Sequence, residues 1–249
     1  MKRVQLFLLS LMTAAILLAG CGETSKVADY DLEGKTHSAV KAKDRMDWWG
    51  RLHYRVLNQI AARDVDLIFV GDSITHGFDR VGKEMWDKYY APRNAVNMGI
   101  SGDRTQHVLW RLRNGEIDGI DPKLAVLMIG SNNSHKNDNT AEEIADGIKA
   151  ICAEMRTRMP QTKILILAIF PLKEKPCPTR QKSDKASLLA SEIADNDMIH
   201  YLNINQKFLT PAGVSSKDIM PDFCHPNEKG YKIWAEAIEP KVAELMGEK

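Results

Sequence analysis

The chain has 249 residues, 44% of them hydrophobic and 27% charged, with a formal net charge of +1. This is ordinary for a globular protein and long enough for one α/β domain with a sizeable core. A near-zero charge, with no Lys/Arg cluster interleaved with aromatics, argues against a nucleic-acid partner.

In chain order, the N-terminus reads first as a targeting segment. Met1, Lys2 and Arg3 make a short basic start, and Val4 to Leu18 is an apolar run too short to cross a bilayer comfortably. Leu18, Ala19, Gly20 and Cys21 then resemble a bacterial lipoprotein signal. Residues 1–20 are therefore expected to be a signal peptide, with Cys21 the acylated first residue and 21–37 a polar tether. Residues 38–249 are expected to form the catalytic domain. A membrane contact through N-terminal lipid would hold that domain in the cell envelope, periplasmic or on the outer surface. Of four cysteines, Cys152, Cys177 and Cys224 then remain, an odd number for an oxidising compartment. Cys152 sits in an apolar helical stretch and reads as a buried thiol. Whether Cys177 and Cys224 pair is left open.

From about 38 to 63 the pattern is helical, with Trp48, Trp49, Leu52, Val56 and Ile60 at helical spacing. The two tryptophans read as core or rim packing. Short apolar runs follow at Val65–Val70, Ala95–Met98, Leu124–Ile129, Lys163–Phe170 and His200–Ile204. Helical patterns occupy about 105–114, 141–158, 179–195 and 227–246. Alternating strands and helices predict a five-stranded parallel sheet covered on both faces. In such sheets the site lies beyond the carboxyl ends of the strands. Polar clusters do follow the strands: Gly71 to Thr75, Gly99 to Asp103 and Gly130 to Asn133. Asp222 and His225 precede the last helix.

A serine hydroxyl needs a base to become a nucleophile, and the base needs a carboxylate to orient it. Ser73, directly after a strand, could supply the first, His225 the second and Asp222 the third. A spacing of three residues lets Asp222 meet Nδ1 while Nε2 faces Ser73. The negative charge of a tetrahedral intermediate needs preorganised donors, each typically contributing roughly 3–4 kcal/mol. Candidates are the backbone N–H of Ser73, the backbone N–H of Gly102 and the side-chain amide of Asn132. Asp72 reads as a structural residue bonding turn amides, and Asn133 as a turn residue. His76 and His107 read as packing or helix-surface residues. Asp103 and Arg104 are either a local ion pair or the rim of a pocket.

Gly71-Asp72-Ser73, Gly102, Asn132 and the Asp222 to His225 segment, in this order, resemble the GDSL/SGNH hydrolase superfamily. The stretches Asn97 to Leu112, Arg113 to Glu116, Leu127 to Asn133, Lys175-Pro176, Arg180 to Lys182 and Asp222 to His225 resemble one branch of it. That branch comprises the catalytic subunits of intracellular-type platelet-activating factor acetylhydrolase. The resemblance covers about residues 45–245. It implies a flavodoxin-like three-layer α/β/α fold and an acyl-enzyme mechanism, with no metal and no cofactor. Ser73 would be the nucleophile, His225 the base and then acid, and Asp222 its orienter. Ser73, Gly102 and Asn132 would form the oxyanion hole. The branch often dimerises, which leaves a homodimer open.

Export to the envelope directs the expected substrate toward short acyl groups, acetyl first, on carbohydrate or glycan esters. The alternative is a lysophospholipase or related lipolytic esterase, which would need a longer apolar groove. A non-catalytic glycan-binding lipoprotein would require a damaged catalytic block, and all four blocks are intact.

Overall fold

A computed structural model describes residues 34–45, 48–135 and 138–248. The signal peptide, Cys21 and most of the expected tether lie outside the described residues. In chain order the elements are α1 (Trp48–Ala61), β1 (Leu67–Gly71), α2 (Ser73–His76), α3 (Lys83–Met85), β2 (Ala95–Gly99) and α4 (Thr105–Arg111). They continue with β3 (Leu124–Met128), α5 (Ser131–Ser134), α6 (Ala141–Arg158), β4 (Lys163–Leu167), α7 (Pro178–Ser191), β5 (Ile199–Leu202) and α8 (Glu228–Met246).

The strands form one parallel sheet in the order β2-β1-β3-β4-β5. This order arises because the chain leaves β1 on one side, to β2, and then crosses to the other side for β3. The crevice at that reversal is where α/β proteins bind ligands. Both faces of the sheet are buried, so the strands read as continuous apolar runs and their alternate residues serve different layers. Ile68, Val70, Val96, Met98, Ala125 and Leu127 meet Val56, Val108, Leu109, Ile148 and Ile151 from α1, α4 and α6. Leu67, Phe69, Val126 and Leu165 point to the opposite layer, into an aromatic cluster of Phe78, Trp86, Tyr90, Phe170 and Trp234. The expected three-layer fold is the one observed.

Where boundaries differ, tertiary contacts give the reason. The helix expected from 38 begins at Trp48, and the apolar residues that suggested it all lie inside α1. Upstream, Ser38–Val40 is a single tight turn. Beyond that turn the strap bonds to α4: Lys43 N–H donates to the Gln106 carbonyl (3.0 Å), and Thr105 Oγ1 donates to the Ala39 carbonyl (2.8 Å). Lys35 and His37, at the end of the expected tether, both reach Asp146 on α6. After α4 the chain widens into a looser turn through Glu116, where Asn114 and Gly115 leave helical geometry.

Candidate active site

β1 stops at Gly71, where any side chain would overlap Thr75 Oγ1 and the Met128 carbonyl. The backbone can therefore turn sharply under β3. Asp72 caps the next helix, its Oδ1 accepting the Ile74 N–H at 3.0 Å. That bond makes Ser73 the first residue of α2, with its side chain free to project from the sheet edge. Two further contacts fix α2. Asn97 Nδ2 donates to the Thr75 carbonyl at 2.8 Å, and Tyr231 Oη donates to the Ile74 carbonyl at 2.7 Å.

Ser73 Oγ lies 2.8 Å from His225 Nε2, and His225 Nδ1 lies 2.6 Å from Asp222 Oδ2. A carboxylate only accepts, so Nδ1 carries the proton and Nε2 is left to accept from the serine hydroxyl. The other oxygen of Asp222 accepts the N–H groups of Cys224 (3.0 Å) and His225 (2.7 Å). Partial burial alone would raise the Asp222 carboxyl. The His225 ring and these two N–H groups outweigh it and hold the carboxyl below its ordinary range. The loop is shaped by Phe223 at φ +59° and tied down by the Lys173 N–H donating to the Phe223 carbonyl at 2.8 Å.

Behind that tie stands buried Arg180, whose role sequence reading missed. Its guanidinium donates to the carbonyls of Leu172 (2.9 Å), Gly213 (2.6 Å) and Lys173, and to Ser215 Oγ (3.1 Å). A signal existed, because Arg180 opens the buried stripe of α7 that continues through Ser183, Ala186, Ser187 and Ala190.

The three candidate oxyanion donors come from the ends of β1, β2 and β3. The Ser73 N–H, at the first helical position, has no carbonyl to bond within α2. Gly102 sits at φ +79°, a conformation that favours glycine in the turn after β2. Asn132 lies on α5, and its Nδ2 donates to the Asp103 carbonyl at 2.9 Å, next to Gly102. The amide therefore bridges two strand-end loops and does not close a local turn.

Other expectations fare unevenly. Asn133 is more than a turn residue. It is fully buried, accepts the Thr105 N–H (3.0 Å) through Oδ1, and its amide nitrogen lies within bonding range of Thr105, Gln106 and Asn139. Asp103 and Arg104 do not pair. Asp103 is buried against Arg111 (2.8 Å) and Trp49 (2.7 Å), and Arg104 reaches Asp138 (2.7 Å). Arg111 also bonds Glu116, which accepts from His53 at 2.8 Å. His76 and His107 are packing residues: His76 meets Ser101 Oγ (2.9 Å), and His107 Nδ1 accepts the Arg104 N–H (3.0 Å). Burial lowers His76 to about 4 and His107 to about 3, so both are neutral near pH 7. Asp72 is structural, and burial raises its carboxyl to about 6. Trp49 is core and Trp48 lies at the rim. Cys152, Cys177 and Cys224 are free thiols, with Cys152 buried. Among the described residues no cluster of three or more His, Cys, Asp or Glu could hold a metal ion, and no helix is long and apolar enough to cross a membrane.

Residues 69–233 match the model of the GDSL-like lipase/acylhydrolase family. The chain is 38% identical over 203 residues to the platelet-activating factor acetylhydrolase IB subunit alpha2 of Rattus norvegicus, covering 81% of this chain and 86% of that one. Solved structures share the fold. A putative platelet activating factor protein from Streptococcus pneumonia superposes with a TM-score of 0.67 at 20% identity, over 78% of this chain and 92% of that one. Est24, a carbohydrate acetylesterase from Sinorhizobium meliloti, superposes with a TM-score of 0.58 at 19% identity, over 73% of this chain and 100% of that one. The chain belongs to the GDSL-like lipase/acylhydrolase family and is an ester hydrolase of the GDSL/SGNH type.

Proposed function

We propose that this hydrolase cleaves short acyl esters, acetyl first, from carbohydrate or glycan hydroxyls through an acyl-enzyme on Ser73. The observation that carries the mechanism is the unbroken chain of bonds from Ser73 Oγ through His225 to Asp222, at 2.8 and 2.6 Å. His225 Nε2 takes the serine proton as Oγ attacks the ester carbonyl. The carbonyl oxygen becomes an oxyanion held by the N–H groups of Ser73 and Gly102 and the Asn132 amide. The same proton passes from His225 to the departing alcohol as the C–O bond breaks. Water then repeats the sequence on the acyl-enzyme, releasing the carboxylic acid and restoring Ser73. Asp222 keeps the imidazole in the required tautomer throughout.

The substrate reading rests on what two relatives' names share. One is called a platelet-activating factor acetylhydrolase and the other a carbohydrate acetylesterase, so both names contain acetyl and differ in the acceptor. The lipoprotein-like segment ending at Cys21 favours the glycan. A chain tethered in the envelope by lipid meets glycan esters outside the cytoplasm. The likeness to the acetylhydrolase subunits supports a second reading, a lipolytic esterase acting on lysophospholipid-like esters.

One experiment separates the two: a series of aryl esters from acetyl to octanoyl, followed by acetylated glycans and lysophospholipids, with Ser73→Ala as control. Turnover should be greatest at acetyl and fall with chain length. Ser73→Ala should lose about 10⁴-fold or more of kcat, since the nucleophile is gone, with an unchanged melting temperature. Activity climbing toward octanoyl would transfer the assignment to the lipolytic reading. Full activity in Ser73→Ala would remove the mechanism altogether.

A further inference from the structure

The Gly99–Asp103 turn carries one proposed oxyanion donor, Gly102, and contacts another, Asn132; Ile100 seats its start in the core, while Ser101 and Gly102 at its tip are only half-buried. Charge holds that tip. Asp103 is fully buried, and its carboxylate accepts from Trp49 Nε1 (2.7 Å) and Arg111 Nε (2.8 Å), with Arg45 Nη1 at 3.4 Å. His107 Nδ1 stands 3.9 Å away, and Glu116 shares Arg111. The main chain of the same residue completes the turn. Its N–H donates to the Ile100 carbonyl (3.1 Å), and its carbonyl accepts the Asn132 amide (2.9 Å).

Arg45 grips the turn from the other side. It comes from the strap before α1, whose backbone is pinned to α4 by the Lys43 and Ala39 bonds. Its Nη1 donates to the Ser101 carbonyl at 3.0 Å, and its guanidinium packs over the Trp48 ring, 5.3 Å from the centroid. A Cβ built on Gly102 would stand 3.0 Å from Arg45 Nη1, so the guanidinium lies directly against the Gly102 backbone. The residues on both sides of Gly102 are thus bonded to one cation.

We infer that Asp103 and Arg45 are the positioning pair of the oxyanion hole, holding the Gly99–Asp103 turn so that the Gly102 N–H and the Asn132 amide converge on one oxygen. This rests on the proposed roles of Gly102 and Asn132. Neither Asp103 nor Arg45 is assigned contact with substrate. Their effect reaches the reaction through donors that matter most in the transition state, so loosening them lowers kcat and spares KM. Small displacements of such groups are costly, with about 1 Å worth up to roughly 100-fold.

The test compares Asp103→Asn and Arg45→Ala with the wild-type enzyme on a short-chain aryl ester, rates being expressed per serine titrated by a phosphonate. Both should lose about tenfold or more of kcat with KM changed by less than about twofold. Added guanidinium should restore part of the kcat of Arg45→Ala, a readout that a general loss of stability would not give. Should Asp103→Asn fail to fold, Arg45→Ala decides alone, because its side chain is at the protein surface on one side. Unchanged kcat per titrated serine, or a raised KM with kcat intact, overturns the positioning role. If Ser73→Ala is dead and Arg45→Ala fully active, only the pair is overturned. If Ser73→Ala keeps turnover, the functional reading falls and takes the pair with it.

Discussion

Two carboxylates stand behind the candidate active site, and they are treated differently by the fold. Asp103, under the Gly99–Asp103 turn, has no exposed surface and is bonded to a buried arginine and an indole. Asp222, behind the histidine, has a side chain 57% exposed, and the His225 side chain is 46% exposed. Oxyanion donors must keep one geometry while charge develops in front of them, and core-anchored turns provide that. In the proposed mechanism the histidine exchanges protons with a leaving alcohol and with water, and its place at the surface on a loop suits that. Its support comes from behind the loop, through Arg180 and the Lys173–Phe223 bond. The exposed carboxylate sits in water, which weakens its field at the ring. Its contribution is therefore chiefly orientation, whereas the buried half relies on charge.

The largest effect expected from this comparison tests that orientation. In Asp222→Asn one of the two acceptor oxygens becomes an amide nitrogen. Either the backbone N–H groups of Cys224 and His225 lose their acceptor, or Nδ1 faces a donor and the tautomer reverses. We expect kcat to fall by about 10²–10³-fold, less than for a buried triad carboxylate, with thermal stability nearly kept. Steady-state kinetics on an aryl acetate measure this, and a loss below tenfold would mean that the loop orients His225 without its carboxylate.

Next comes the support beneath the loop. Arg180→Met removes a guanidinium whose loss leaves several buried acceptors unpaired, for about 2–4 kcal/mol of stability, and kcat per folded molecule should drop by about tenfold as the histidine loop loosens. Urea unfolding and active-site titration separate the two effects. Lowered stability with unchanged kcat would uncouple Arg180 from the acid–base half.

The smallest effect concerns pH. Asp72 and Asp103 are raised to about 6 in the folded protein, so they bind protons more readily folded than unfolded between about pH 4 and 6. Their contribution to stability is present at low pH and is lost as pH rises through that window. His76 and His107, lowered to about 4 and about 3, act in the opposite sense and favour folding as pH rises toward 6.5. Asp72→Asn removes one opposing titration. The rise of stability between pH 4 and 6 should therefore steepen relative to wild type, by at most about 1.4 kcal/mol per pH unit. Urea midpoints across this range check the sign, and a shallower slope in the variant would contradict the raised Asp72.

Legibility in the sequence followed the range of the interactions. The five strands were readable because each is a short run that is mostly apolar and mostly buried. The turn at Ser73 was readable because Asp72 caps Ile74 two residues on and Gly71 packs against Thr75 four residues on. Asp222 and His225 could be paired on spacing alone, since one turn of chain joins them. The helix expected from residue 38 failed upstream of Trp48 because the strap takes its bonds from α4. Asn133 was read only as a turn residue because its partners Thr105 and Gln106 lie on α4, far away in sequence.

By itself, then, the sequence determined the alternation of strands and helices, the polar clusters after the strands and which groups are candidates for the reaction. These depend on local propensity, on periodicity and on contacts a few residues apart. Only the tertiary structure decided which polar and charged groups are buried and what they hold: Arg111 and Arg45 on Asp103, Arg180 under the histidine loop, and Asn97 under α2. A charged side chain reads the same in sequence whether it faces water or a buried partner. The difference is made by residues brought together from distant parts of the chain, and burial then makes each such bond costly to lose.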